Sequence, residues 1–175
     1  MKKSFVVMAI LWGFVCALPA AQAQTQFKEE WKGHTVVSPL ELGILGGAAP
    51  FGTDVHWSVL MTGAVLLEET GWADDLDDRI WIELQAGPAF FDLPGGSQSG
   101  FQYSAHLRWD FTYNEFWNFY GLGGLAGFKL PSGLGNSLTV RPRFGVGVQY
   151  QTKAALMFRA ELSAEFIGAG IGFNF

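Results

Sequence analysis

From Phe101 to Tyr113 the chain alternates without a break, with Phe101, Tyr103, Ala105, Leu107, Trp109, Phe111 and Tyr113 set against Gln102, Ser104, His106, Arg108, Asp110 and Thr112. Side chains of a β-strand point to opposite faces with a period of two, so this segment is a strand with one apolar and one polar face. Its thirteen residues exceed the roughly 5 to 6 of an ordinary globular strand and match the length that crosses a bilayer at a tilt. The charged fraction of 15%, against about 25% in a typical soluble domain, fits a surface that meets something other than water.

Other segments repeat the pattern. Ile80, Ile82, Leu84, Ala86, Pro88 and Phe90 share one face, as do Val140, Pro142, Phe144, Val146, Val148 and Tyr150. Leu156 to Leu162, Ile167 to Phe175 and Val55 to Met61 alternate in the same way, a weaker segment runs from Val36 to Gly46, and a glycine-rich strand is expected from Phe116 to Leu130. Eight strands of about 9 to 11 residues use up the chain from 36 to 175, and the even number suits a closed barrel. The fold class expected is all-β, an eight-stranded antiparallel up-and-down transmembrane β-barrel. Turn residues place the connections at Ala48–Thr53, Glu68–Asp78, Asp92–Gly100, Asn114–Glu115, Pro131–Asn136, Gln151–Lys153 and Ser163–Ala164. With both termini periplasmic, Glu68–Asp78 is long for its side.

The first 23 residues read as a cleaved signal peptide. Lys2 and Lys3 precede an apolar run from Phe5 to Leu18, then Pro19 and the triplet Ala21, Gln22, Ala23. Residues 24–35 are a periplasmic lead-in. Removing the leader takes away the single cysteine, Cys16, so disulfides are not expected to hold the fold. It also leaves 9 basic against 16 acidic residues, a net charge of −7, which argues against a nucleic-acid partner.

The last strand carries Ile167, Ala169, Ile171, Phe173 and Phe175 on alternate positions. This resembles the terminal assembly signal of Gram-negative outer-membrane barrels, with Ile171, Phe173 and Phe175 as its residues. With the leader and eight strands, the chain is similar to small barrels of the OmpA-domain, OmpX and opacity-protein class. That resemblance implies periplasmic chaperones and the barrel assembly machinery as partners, outer-membrane lipid and lipopolysaccharide as surroundings, and a monomer in the cell envelope. Aromatics near strand ends suggest two interfacial belts, with Trp57, Phe90 and Phe128 at one and Trp109, Tyr113, Tyr150 and Phe175 at the other.

An eight-stranded barrel is only wide enough to be filled by side chains. The expected contents are a lumen ion-pair network of Glu41, Glu83, Arg108, Asp110, Arg141, Arg143, Arg159 and Glu161, four residues of each sign. A tight turn with Tyr150 opposite Ala154 puts Arg143 across from Glu161. Gly121, Gly123, Gly127, Gly145, Gly147, Gly168, Gly170 and Gly172 are expected to face inward, with Trp81, Phe91, Trp117 and Phe119 filling the space beside them. His56 and Ser58 share a face with Asp54 and invite comparison with the His-x-Ser of lipid-hydrolysing barrels, but they face the lumen and read better as a polar cluster than as a catalytic dyad. Asp74, Asp75, Asp77 and Asp78 lack the spacing of a calcium loop, so neither a metal nor a cofactor is expected. A structural or surface-interaction role without catalysis is the function expected. The alternatives are a lipid-modifying barrel enzyme, a soluble periplasmic ligand carrier and a narrow pore.

Overall fold

The computed structural model describes residues 38–51, 54–73, 76–93, 96–134 and 137–175. The leader and lead-in over 1–35 and the pair Asp74–Asp75 lie outside them. Eight antiparallel strands, each paired to its sequence neighbours, close into a barrel when the first meets the last. They are β1 (Leu40–Phe51), β2 (Asp54–Glu68), β3 (Asp78–Leu93), β4 (Gly96–Thr112), β5 (Trp117–Lys129), β6 (Leu138–Gln151), β7 (Leu156–Ser163) and β8 (Ile167–Asn174). A row of paired residues that leaves β1 at Ala48 runs through Ile167, Leu162, Val146, Gly121, Trp109 and Ile80 to Glu68, at the foot of β2. Such a stagger tilts the strands and sets the barrel's girth.

The feet of the strands lie level. Leu40 and Phe175 exchange backbone hydrogen bonds, Thr112 N–H donates to Asp77, Gln151 N–H to Phe116 and Asn174 N–H to Ala155. The connection from β2 to β3 is therefore at the same end as the two termini. It folds back on the wall: Gly71 N–H donates to the Asp78 carbonyl, and the Asp78 carboxylate accepts from Trp109 Nε1 at 2.6 Å and from Ala73 N–H at 3.2 Å. Trp72 lies 5.5 Å from Trp109, which lies 4.8 Å from Phe111. Trp117, Tyr150 and Phe158 continue this aromatic collar around the foot.

Apolar residues point outward on every strand, among them Ile44, Met61, Leu84, Leu107, Leu125, Phe144, Phe158 and Ile171, all exposed. Several expectations are corrected. The connections at Ala48–Thr53 and Asp92–Gly100 are largely strand, because pairing continues to Phe51↔Asp54 and Leu93↔Gly96. On β5 the inward residues are Tyr120, Leu122, Ala126 and Phe128, so Gly121, Gly123 and Gly127 face outward with Trp117 and Phe119. The cause is the partner strand, since Asp110 pairs with Tyr120 and Arg108 with Leu122. Phe128 accordingly leaves the belt and joins a buried cluster with Ala89, Phe91, Ala126 and Leu130.

The inner face of the β1–β8 seam is nearly bare, with Gly43 beside Gly172 and Gly47 beside Gly168. A β-carbon at Gly47 or Gly168 would meet the ring of Phe166, and one at Gly172 would meet Met157. Phe166, fully buried in the β7–β8 turn, thus folds down over the seam and packs with Leu45 and Leu60.

Candidate functional site

The lumen is the place where titratable groups are concentrated. Arg108, on the polar face of β4, is held by Glu41 of β1 at 2.7 Å, Glu83 of β3 at 2.9 Å and Asp110 at 2.8 Å. Arg159 of β7 reaches Glu83 at 2.7 Å and Glu161 at 2.8 Å, and its Nε donates to the Tyr120 hydroxyl at 2.7 Å. Arg143 of β6 pairs with Glu161 and donates to Ser104 Oγ at 2.9 Å. Trp81 and Tyr120 lay their faces against the Arg108 guanidinium, and Tyr120 also against Arg159. Charges so enclosed hold their ionised form only because each is paired and hydrogen-bonded.

Seven of the eight expected network residues are brought together. Arg141 stands exposed two residues beyond Arg143, where β6 rises past the end of β7. The interior therefore balances three guanidiniums against four carboxylates, with His106 Nε2 at 3.6 Å from Glu83. The pair Arg143–Glu161 forms, but not directly across the sheet. Tyr150 opposes Phe158 instead of Ala154, because the turn is closed by Thr152 N–H donating to the Leu156 carbonyl. Glu161 is thus opposite Gly147, and Arg143 reaches it diagonally over the space that Gly145 and Gly147 leave. A β-carbon at Gly147 would run into the Tyr120 ring, so small residues here admit the large polar ones. Tyr120 itself was missed by the sequence reading. Its signal was parity with Leu122 and Phe128.

Nearer the other mouth, His56 stacks on Phe91 with ring centres 5.0 Å apart and meets Phe128 edge-on at 5.5 Å. Ser58 Oγ donates to Gln102 Oε1 at 2.7 Å. A hydroxyl has one proton to give, and this one goes to an amide oxygen. In the β7–β8 turn, burial pushes the Glu165 carboxyl above its ordinary range, while its own backbone N–H and the charges of Arg143 and Arg141 pull it back. Ile171 and Phe173 lie on the outer face of β8, and Phe175 follows at its foot. Among the described residues no group of three or more His, Cys, Asp or Glu side chains is arranged to hold a metal ion.

The chain matches no family model and no curated protein sequence. It is similar to solved structures of Ail, the attachment invasion locus protein of Yersinia pestis. A crystal structure of Ail in complex with the heparin analogue sucrose octasulfate has 14% identity and a TM-score of 0.47, over 79% of this chain and 97% of that one. The backbone structure of Ail in a phospholipid bilayer nanodisc has 16% identity and a TM-score of 0.48, over 79% and 99%. A further Ail crystal structure has 16% identity and a TM-score of 0.46, over 79% and 97%. This protein folds as a closed, eight-stranded, all-antiparallel up-and-down β-barrel.

Proposed function

We propose that the protein is an integral barrel of a Gram-negative outer membrane, exported with residues 1–23 removed, with a closed lumen and a structural or surface-interaction role in place of catalysis. The observation that carries this reading is the inversion of its two faces. Every strand turns exposed apolar residues outward, Met61 and Phe144 at 70% each, whereas Glu83, Arg108 and Arg143 are 0% exposed inside. A water-soluble ligand carrier would be built the other way round. The Arg108 and Arg159 clusters fill the section nearer the termini, and Phe91, Phe128 and Phe166 fill the other. That packing favours a sealed interior over a pore. The commitment of the Ser58 proton to Gln102 speaks against a hydrolytic dyad with His56. Folding through periplasmic chaperones and the barrel assembly machinery, with Ile171, Phe173 and Phe175 as signal, and a monomeric state among outer-membrane lipids belong to the same reading.

Gel mobility of the membrane-extracted protein, unheated against boiled, together with fractionation of soluble, inner and outer membrane, tests it. A mobility shift in the outer-membrane fraction is the expected result. A soluble protein without a shift would overturn the reading, and steady unitary conductance in planar bilayers would overturn the closed lumen. Ser58→Ala is expected to leave no lipid-modifying activity to lose.

A further inference from the structure

The ion pairs of the lumen do not come out even. Asp110 takes the fork of Arg108, with bonds at 2.8 and 2.9 Å, while Glu83 takes Arg159 at 2.7 Å and Glu161 takes Arg143. Glu41 is the carboxylate left over. Its Oε2 shares Nη2 of Arg108 with Asp110, and its Oε1 has no bonded partner among the described residues. Arg79 and Asp77, 3.6 Å apart at the foot, add one charge of each sign and leave the surplus as it is. A proton on His106 would not cancel it locally, because His106 neighbours Glu83 and stands on β4 beyond Arg108, on the side away from the foot.

Two buried carbonyl oxygens belong to the neighbours of this carboxylate. Gln149 of β6, 1% exposed, gives its amide N–H groups to Glu41 Oε2 at 3.2 Å and to Met157 Sδ, which leaves its Oε1 as the end without a partner. Asn174 of β8 lies directly across the pairing from Glu41, and its Oδ1 is likewise buried without a partner. The next inward pair up the seam is Gly43 beside Gly172, so no side chain of either strand crowds the three oxygens from above. Buried polar atoms in native proteins are almost always bonded, and two orphaned acceptors beside one surplus negative charge point to a common guest that is positive. Water could donate to both amide oxygens but would leave the charge of Glu41 uncompensated. A divalent ion would overshoot it beside Arg108, and such ions gather several carboxylates. The side chains of Glu41 and Asp110 are only 8% and 5% exposed at this mouth, an opening for a bare ion and not for an organic ammonium.

We propose that Glu41 Oε1, Gln149 Oε1 and Asn174 Oδ1 hold a monovalent alkali cation, sodium or potassium, at the foot of the β1–β8 seam, with water from the open end completing its shell. The ion neutralises the last charge of the lumen and fastens the first strand to the last, with β6 as a third point of attachment. The inference needs the closed barrel and its interior and does not depend on which membrane holds it.

The test uses the mature chain folded in a zwitterionic detergent at about pH 8, above the ordinary range of imidazole, with sodium chloride replacing choline chloride at constant ionic strength. The sodium-23 NMR line width reports binding, and the urea midpoint by tryptophan fluorescence reports stability. Sodium is expected to broaden saturably and to be displaced by potassium, and a ten-fold excess over half-saturation to raise the midpoint by about 0.5 M. Glu41→Gln should abolish both effects, yet unfold in choline no earlier than the parent, because the surplus charge has gone with the carboxylate. Asn174→Ala should weaken binding about ten-fold, and Glu165→Gln, a carboxylate at the opposite end, should leave the sodium effects unchanged. A protein indifferent to sodium, or a sodium effect that survives Glu41→Gln, would overturn the proposal. So would a midpoint that rises only with acid, the mark of a proton on Glu41, or a sodium effect that appears only in Lys28→Gln or Lys32→Gln, the mark of a lysine from the lead-in in the ion's place. The heat-dependent mobility shift is run on every sample to show that a barrel has formed; should Glu41→Gln form none, the sodium titrations of the parent and of Asn174→Ala decide the matter.

Discussion

Replacing Arg108 with methionine removes the charge at the centre of the lumen while keeping much of its volume. Three carboxylates feel the loss. Glu83 retains Arg159 at 2.7 Å, and Glu41 retains Gln149 Nε2 at 3.2 Å, but Asp110 loses both bonds it accepts from the guanidinium, at 2.8 and 2.9 Å. Removing one partner of a buried pair costs about 3–5 kcal/mol, and with three anions clustered around an uncharged side chain the expected cost is near the upper end, about 5 kcal/mol. In urea titrations of the protein in lipid vesicles, followed by tryptophan fluorescence, that corresponds to a midpoint lowered by about 2 M. Adding Asp110→Asn to Arg108→Met should restore part of the loss, since the most exposed consequence of the first change is the stranded Asp110 carboxylate. A loss below about 1 kcal/mol, the worth of a solvent-exposed pair, would mean that water screens these charges. The sealed lumen would then be refuted along with the magnitude.

Three further outcomes follow from other parts of the barrel. Phe166→Ala empties the space over Gly47 and Gly168 and should cost about 3–5 kcal/mol in the same titration, with sporadic conductance appearing in planar bilayers; unchanged stability would show that the ring does not pack there. Gly147→Val drives a side chain into the Tyr120 ring and should destabilise by about 1–3 kcal/mol, whereas valine at outward Gly121, where a β-carbon meets nothing within 4 Å, should be tolerated. Glu165→Gln should raise the temperature of the mobility shift at about pH 8 and leave it unchanged at about pH 3.5. A carboxyl whose folded-state pKa is raised stabilises the fold when protonated and withdraws that support as pH climbs through it. A larger effect in acid than in base would contradict the burial of this group.

The faces of β3, β4 and β7 were legible because charged and apolar residues alternate on them; Arg108 and Asp110 have only one side on which they can be buried. On β5 neither face carries a charge between Phe119 and Ala126, and glycines on odd positions look like interior spacers when their partner strand is not considered. Only the pairing with β4 decides it. The diagonal reach from Arg143 to Glu161 was out of sight for a related reason. Alternation fixes which side a residue faces but not how far one strand slides along the next, and the turn at Thr152 sets that slide. Arg141 shares the parity of Arg143 but not its burial, since β7 ends before it.

The bare seam between β1 and β8 bears on the order of events when the barrel forms. These are the first and last strands of the fold, so their meeting closes the longest loop in the chain and comes late. Two edges lined inside by Gly43, Gly47, Gly168, Gly170 and Gly172 can zip together residue by residue with few side chains to interlock. Phe166 and Met157 can settle over that surface only once both of its edges exist. Backbone closure and side-chain latching then become two separable steps, the second with its own rate.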